Sequence, residues 1–259
     1  MCRILGYLGP PVDLHHLLYG SAVPFARQAH APRYQDVGRI NADGWGVGWW
    51  DLEIRNEPAR YRTVTPMWAD NRFRETAPLL RSTSVVAAIR NASPGAPIDE
   101  SGNAPFTSGP WLFAHNGFVD GFRLGLGERL RREVSERRAS AILGAADSEV
   151  LFAMVLDRID GGATASEALL DLLEHISGLA DGRFNFLLGD GQSLVATRWG
   201  NSLFLRELPA AATDQRAMII VSEPLSLDPD WTEVPDRSIV TMTTTPSLDA
   251  STITSLPFG

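Results

Sequence analysis

The chain has 259 residues, 44% hydrophobic and 21% charged, with a formal net charge of −8. That size and apolar content build a substantial core and exclude a disordered tail protein, while the acidic balance excludes general nucleic-acid binding, which depends on Lys and Arg neutralising phosphates. A single cysteine, Cys2, excludes an internal disulfide framework and any zinc or iron–sulfur centre built from thiolates.

The opening MCRILGYLGPPVD lacks the apolar stretch of a secretion signal, and no run of about 20 apolar residues follows, so a cytoplasmic protein without a membrane span is expected. His15, His16, His30, His115 and His175 fall in no metal-ligand spacing, and neither metal nor cofactor is expected.

Cys2 to Leu8 reads as a short strand ended by Gly9-Pro10-Pro11, fixing the N-terminus inside the fold. A short helix is predicted over Leu14 to Tyr19, then irregular chain from His30 to Ile40. Gly44, Gly46 and Gly48 lie on one side of an aromatic strand, allowing another backbone or a ligand to come close. Arg60 to Thr65 is its expected partner, and Arg72 to Arg81 a helix. Ser84 to Ile89 is an apolar strand reaching Arg90, followed by a Pro/Gly/Ser-rich loop over Asn91 to Pro110. Trp111 to Ala114 returns as a strand before His115-Asn116-Gly117, so two apolar strands end in polar residues, where sites often collect.

Helices are expected over Glu128 to Ile142, Glu149 to Ile159 and Ala165 to Ile176. In the first, Glu128, Glu133 and Glu136 interleave with arginines, which favours a solvated face with i,i+4 pairs over a binding patch. Strands follow at Phe184 to Leu188, Leu194 to Trp199, Leu203 to Glu207, Met218 to Val221 and Ser238 to Thr243, the first three joined as hairpins by Gly189-Asp190-Gly191 and Gly200-Asn201. Thr243 to Ser255 is the one tail candidate. Strands, helices and strands again indicate a single layered domain over residues 2–259.

Removal of Met1 would give Cys2 a free amine beside its thiol, so that nucleophile and proton acceptor share one residue; the alternative is a small core hydrophobe. A carbonyl attacked by that thiol needs donors for its oxyanion. Asn116 offers a side-chain amide and Gly117 a main-chain N–H, although Asn-Gly is also a strong β-turn signal. Arg90 suits a carboxylate clamp or an internal salt bridge. Asp147 suits a helix cap or an acceptor for a ligand ammonium. Clamp and acceptor together fit the amino-acid end of a γ-glutamyl group.

Cys2-Arg3-Ile4-Leu5-Gly6, Asn41-Ala42-Asp43-Gly44-Trp45-Gly46, Arg90-Asn91-Ala92-Ser93-Pro94-Gly95, Ala114-His115-Asn116-Gly117 and Ala146-Asp147-Ser148-Glu149 occur in the order and approximate spacing of class II glutamine amidotransferase domains, which are N-terminal nucleophile hydrolases. The resemblance implies an α+β fold, a four-layer αββα sandwich of antiparallel sheets. It places the nucleophile on Cys2, the oxyanion donors on Asn116 and Gly117, and substrate binding on Arg90, Ser93 and Asp147. Ser93 stands where the family commonly has threonine, and Pro94 where a histidine is familiar. No synthase, isomerase or phosphoribosyltransferase domain follows, which points to a free-standing hydrolase.

Met67-Trp68-Ala69-Asp70, Pro105-Phe106-Thr107, Ser222-Glu223-Pro224 and Trp231 to Arg237 resemble the ergothioneine-pathway branch of that family. This implies a small-molecule substrate, γ-glutamyl-hercynylcysteine sulfoxide, hydrolysed to glutamate and hercynylcysteine sulfoxide. Trp45, Trp49 and Trp68 are then candidates for an aromatic wall against its trimethylammonium group, with core packing the alternative for Trp49. A glutaminase, an amidotransferase subunit supplying ammonia to a separate partner, and a non-catalytic glutamyl-binding protein are the competing functions.

Overall fold

The computed structural model describes residues 2–36, 38, 40–93, 95–208, 216–243 and 250–256. Its strands are β1 (Arg3–Asp13), β2 (Trp45–Trp49), β3 (Ala59–Thr63), β4 (Arg81–Ile89), β5 (Phe106–Ser108), β6 (Trp111–Val119), β7 (Gly182–Gly189), β8 (Ser193–Arg198), β9 (Phe204–Leu208), β10 (Ala217–Val221), β11 (Thr232–Glu233), β12 (Ser238–Thr243) and β13 (Ala250–Ser255). Its α-helices are α1 (Leu14–Tyr19), α2 (Asn71–Thr76), α3 (Leu126–Glu133), α4 (Glu136–Ala139), α5 (Asp147–Asp160) and α6 (Ala165–Ser177).

The strands form two antiparallel sheets, one ordered β11-β9-β10-β1-β4-β2-β3 and the other β13-β12-β8-β7-β6-β5. Side-chain alternation along β1 and β4 sorts residues between two cores. Ile4, Leu8, Val86 and Ala88 meet Leu112, Ala114 and Leu187 of the opposite sheet, whereas Leu5, Tyr7, Val85 and Ala87 face outward onto Leu14, Leu17 and Phe73. A third core joins the outer face of the second sheet to α5 and α6 through Phe113, Phe186, Val155 and Leu172. Helices, sheet, sheet and helices are therefore stacked in the expected αββα order.

Several expected boundaries moved. β1 runs through Gly9-Pro10-Pro11 because a register shift between Leu8 and Val12 lets its pairing with β4 resume at Ser82; a bulge accommodates prolines that have no N–H to give a ladder. The 72–81 region is helical only to Thr76, then a 3₁₀ turn over Ala77–Leu79. The loop before Pro110 contains β5. The helix expected over 128–142 is two helices: Val134 is extended, and Ser135 caps α4 by accepting from the Arg138 N–H at 3.3 Å. Its solvated face is as expected, with Arg129–Glu133 and Arg132–Glu128 paired at i,i+4.

Gly200-Asn201 is not a hairpin turn. It carries the chain from β8 in one sheet to β9 in the other. The tail candidate contains β13, which pairs with β12 from Ala250↔Thr243 to Ser255↔Ser238; residues 244–249 lie outside the described ones. The glycines of β2 admit protein: a Cβ on Gly46 would stand 2.5 Å from the Ala104 carbonyl oxygen, and one on Gly48 would collide with Leu112.

Candidate active site

β1 is hydrogen-bonded on both sides, to β10 and β4, which holds its first residues rigidly at one end of the sheet. Cys2 precedes it, half-buried, with Sγ 3.8 Å from the Asn91 carbonyl oxygen. The next residue, Arg3, is fully buried and paired with Glu223 at 3.1 Å. Burial lowers the Arg3 guanidinium pKa, and the Glu223 charge opposes that shift most strongly. Glu223 also accepts from the Arg33 N–H at 2.7 Å, and Ser222 Oγ accepts from the Ile4 N–H at 3.0 Å. The segment following β10 thus fastens the start of the chain.

Asp43 and Gly44 hold the neighbouring wall. Arg90 N–H donates to the Gly44 carbonyl at 2.9 Å and Ala92 N–H to Asp43 Oδ2 at 2.7 Å. The Arg90 guanidinium reaches Pro97 O at 2.8 Å, Asp99 O at 3.4 Å and Asn103 Oδ1 at 3.4 Å. All three are neutral oxygens, and among the described residues no carboxylate lies within ion-pair distance. The internal salt bridge is thereby excluded, and a guanidinium positioned by carbonyls keeps its charge for an incoming anion.

His115-Asn116-Gly117 is not a turn; it continues β6, with Asn116 opposite Asn185 and Gly117 opposite Phe184 on β7. Phe184 and Phe186 direct their N–H groups towards the side of β8, at Trp199 O just past its end and at Thr197 Oγ1 within it. Antiparallel alternation therefore turns the Gly117 N–H away from β7. Val119, two residues on, points the same way and donates to Asp147 Oδ2 at 3.3 Å. Asp147 is the first residue of α5, not its cap; its Oδ1 accepts from Ser148 N–H at 2.6 Å and Ser148 Oγ–H at 3.0 Å. His115 is buried beside this carboxylate, Nδ1 3.1 Å from Ser148 Oγ and Nε2 2.9 Å from Arg183 O. A carbonyl only accepts, so Nε2 carries the hydrogen.

A cavity of about 670 Å³ collects Cys2, Arg90, Ser93, Gly117 and Asp147 on its walls. Asn116 stands behind that wall, fully buried, its amide 3.4 Å from Ser222 Oγ and its oxygens accepting from Asn201 Nδ2. Pro94 lies outside the described residues. The tryptophans form no wall here. Trp45 is core and donates to Asp70 Oδ2, Trp49 packs in the outer core, and Trp68 meets His30 at the surface. The aromatic rings of the cavity belong to Phe106, Phe118 and Phe122.

Residues 25–254 match the family model described as glutamine amidotransferases class-II. The chain belongs to that family. It is 38% identical over 246 residues to the γ-glutamyl-hercynylcysteine sulfoxide hydrolase of Mycobacterium tuberculosis (strain CDC 1551 / Oshkosh), covering 94% of this chain and 93% of that protein. Identity to the enzyme of that name from Mycolicibacterium smegmatis is also 38%, over 241 residues, with 93% and 95% covered. A class-II domain protein from Silicibacter pomeroyi has a solved structure that superposes with a TM-score of 0.67 at 26% identity, covering 98% of this chain and 99% of that one.

This class II amidotransferase is accordingly an N-terminal-nucleophile hydrolase by family and fold. Among its described residues no helix is long and apolar enough to cross a membrane. Four polar residues have no role assigned from the sequence: Ser148 and Arg183, which line the cavity, and Asn185 and Asn201, which stand behind it. One signal was present: Asn185 interrupts the apolar run Phe184 to Leu188, and its Oδ1 accepts from Trp199 N–H and Asn201 N–H at the sheet crossing.

Proposed function

We propose that this chain hydrolyses the γ-glutamyl amide bond of γ-glutamyl-hercynylcysteine sulfoxide, releasing glutamate and hercynylcysteine sulfoxide, with residues 2–259 acting as one domain. The observation that carries this reading is the size of the cavity around Cys2. At about 670 Å³ it lies within the range of ~300–1,000 Å³ that encloses drug-sized ligands, far more than a glutamine side chain needs. The 38% identity across nearly the whole length of two hydrolases of that name supports the same substrate.

With Met1 removed, the Cys2 amine takes the thiol proton and the thiolate attacks the γ-carbonyl carbon. Arg90 binds the α-carboxylate of the glutamyl group, Asp147 its ammonium, and Ser93 adds a hydroxyl on the same wall. The Gly117 N–H, turned away from β7, receives the oxyanion. Asn116 adds a second donor by giving up its long contact with Ser222. The amine returns its proton to the departing nitrogen as the C–N bond breaks, leaving a γ-glutamyl thioester. Water, deprotonated by the same amine, attacks that thioester; the C–S bond breaks, glutamate leaves and Cys2 regains its proton.

Glutamate release from the sulfoxide conjugate and from glutamine, followed alongside intact mass, tests the proposal. Turnover of the conjugate in preference to glutamine, with Met1 absent and a transient glutamyl adduct on Cys2, is expected. Preference for glutamine overturns the substrate; retained Met1 in active protein overturns the mechanism.

A further inference from the structure

Behind the wall that carries Arg90 lies a second, smaller cavity of about 130 Å³. Arg60 and Arg62 of β3 both line it, two residues apart on one face of the strand. Arg60 Nη1 donates to Pro105 O at 3.1 Å, and Arg62 Nη1 donates to Ser101 O at 3.3 Å and Asn103 O at 3.1 Å. Among the described residues neither has a carboxylate within ion-pair distance. Burial brings the Arg60 guanidinium down to about 10, with the Arg62 charge adding to the effect. Burial likewise lowers Arg62, opposed at longer range by Glu100, Glu149 and Asp99.

The other charges in the cavity are already committed. Arg138 is held bidentately by Asp160, at 2.8 and 2.7 Å. The Glu149 carboxylate accepts the Leu143 and Gly144 N–H groups at 2.7 and 2.6 Å. Two like charges side by side, served among the described residues by carbonyls through one nitrogen each, leave the other nitrogens of both guanidiniums for an oxyanion. The floor beneath them is apolar, formed by Phe152, Ala153 and Leu156 of α5.

We propose that this cavity is a binding site for a small oxyanion, a carboxylate or phosphate head gripped by Arg60 and Arg62, and that its occupancy acts on the substrate clamp. The link is the turn over residues 99–103. Arg62 holds that turn from one side by the carbonyls of Ser101 and Asn103. Arg90 leans on it from the other, hydrogen-bonded to Asn103 Oδ1 and so close to Gly102 that an added Cβ would stand 2.6 Å from its Nη2. An anion that draws Arg62 away from the turn loosens the seat of Arg90. The second effect rests on the γ-glutamyl reading of Arg90; the binding itself does not.

Calorimetric titration of the full-length enzyme with inorganic phosphate and, separately, with butyrate tests the site and distinguishes the two head groups. One-to-one binding of at least one of them is expected, weakened by about tenfold or more in Arg60→Gln and Arg62→Gln, as the loss of a charged hydrogen-bond pair requires. Arg60 is bonded to Pro105 O and not to the turn, so its variant tests the site even where Arg62→Gln disturbs the turn. No binding, unchanged affinity in Arg60→Gln, or affinity lost only in Arg90→Gln overturns the site. With it filled, KM for the γ-glutamyl conjugate should rise with kcat unchanged; an unmoved KM overturns the link to Arg90. Calorimetry needs no turnover, so failure of the substrate assignment is seen separately.

Discussion

Gly117 has no side chain because the His115 ring uses its space. A Cβ on Gly117 would collide with His115 Nε2 and with the Arg183 carbonyl oxygen, the two atoms whose 2.9 Å hydrogen bond crosses that position. Gly117→Ala should break the bond or displace β6 from β7, destabilising the protein by about 1–3 kcal/mol. Denaturant unfolding measures the loss. An unchanged midpoint would mean that the ring has another place to go.

Arg90→Lys keeps the charge but loses the planar fork set by three carbonyl oxygens. KM for a γ-glutamyl amide should rise by about 10-fold or more while kcat changes little, since a carboxylate remote from the reacting carbonyl is bound alike in ground and transition states. Steady-state kinetics of both variants, Arg90→Lys and Arg90→Gln, provide the check. Equal losses in kcat and kcat/KM would place Arg90 at the reacting atoms instead.

Glu223→Ala leaves the fully buried Arg3 guanidinium without its counter-charge and the Arg33 N–H without its acceptor. Breaking a buried pair from one side costs about 3–5 kcal/mol. Because Arg3 adjoins Cys2, alkylation of the thiol should become faster as the end of the chain loosens. Unfolding and iodoacetamide labelling, run on the same preparation, report the two effects independently.

Tyr7 and Tyr61 should titrate late. Burial pushes the Tyr7 phenol up to about 12, and burial together with the hydrogen bond to Asp70 does the same for Tyr61, 2.7 Å from Asp70 Oδ2. The folded chain then holds protons that an unfolded chain, with phenols near 10.0, has already released. Their contribution to stability is therefore complete below about pH 10 and fades as pH climbs towards 12. Ultraviolet titration at the phenolate band should show three fewer ionisations near pH 10 than denatured protein does, because burial raises the Tyr19 phenol as well; Tyr7→Phe removes one of the delayed steps.

Cys2→Ala should reduce hydrolysis to background while leaving the unfolding transition in place, because among the described residues the one hydrogen bond of Sγ is the long one to Asn91 O. The variant would still bind the γ-glutamyl conjugate, measurable by calorimetry. Residual turnover above background would remove Cys2 from the chemistry.

Elements with a clear period were legible in the sequence. The 3.6-residue spacing of Leu169, Leu172, Leu173 and Ile176 gave α6, and the capping box of Thr164 with Glu167 fixes its start. The partner of β2 followed from one hairpin. What periodicity does not contain is which sheet a strand joins. The pattern of Leu203 to Glu207 identifies a strand but not its place beside β10 in the other sheet from β8, because two residues at Gly200-Asn201 serve a sheet crossing as well as a hairpin. At the site, Cys2, Arg90, Ser93, Gly117 and Asp147 come together from four segments. The Asn-Gly turn signal misled because turn preference is local, while β7 supplies a full ladder partner from nearly 70 residues away. The tryptophans misled for the opposite reason: large rings are bought first by the core.

The placement of Cys2 at the head of a strand paired on both sides has a practical side. A purification handle fused ahead of it would be joined at a residue that lines the cavity of about 670 Å³. Such a fusion protein would fold, bind poorly and carry an amide in place of the amine. Recombinant work on this enzyme calls for the handle at the other terminus.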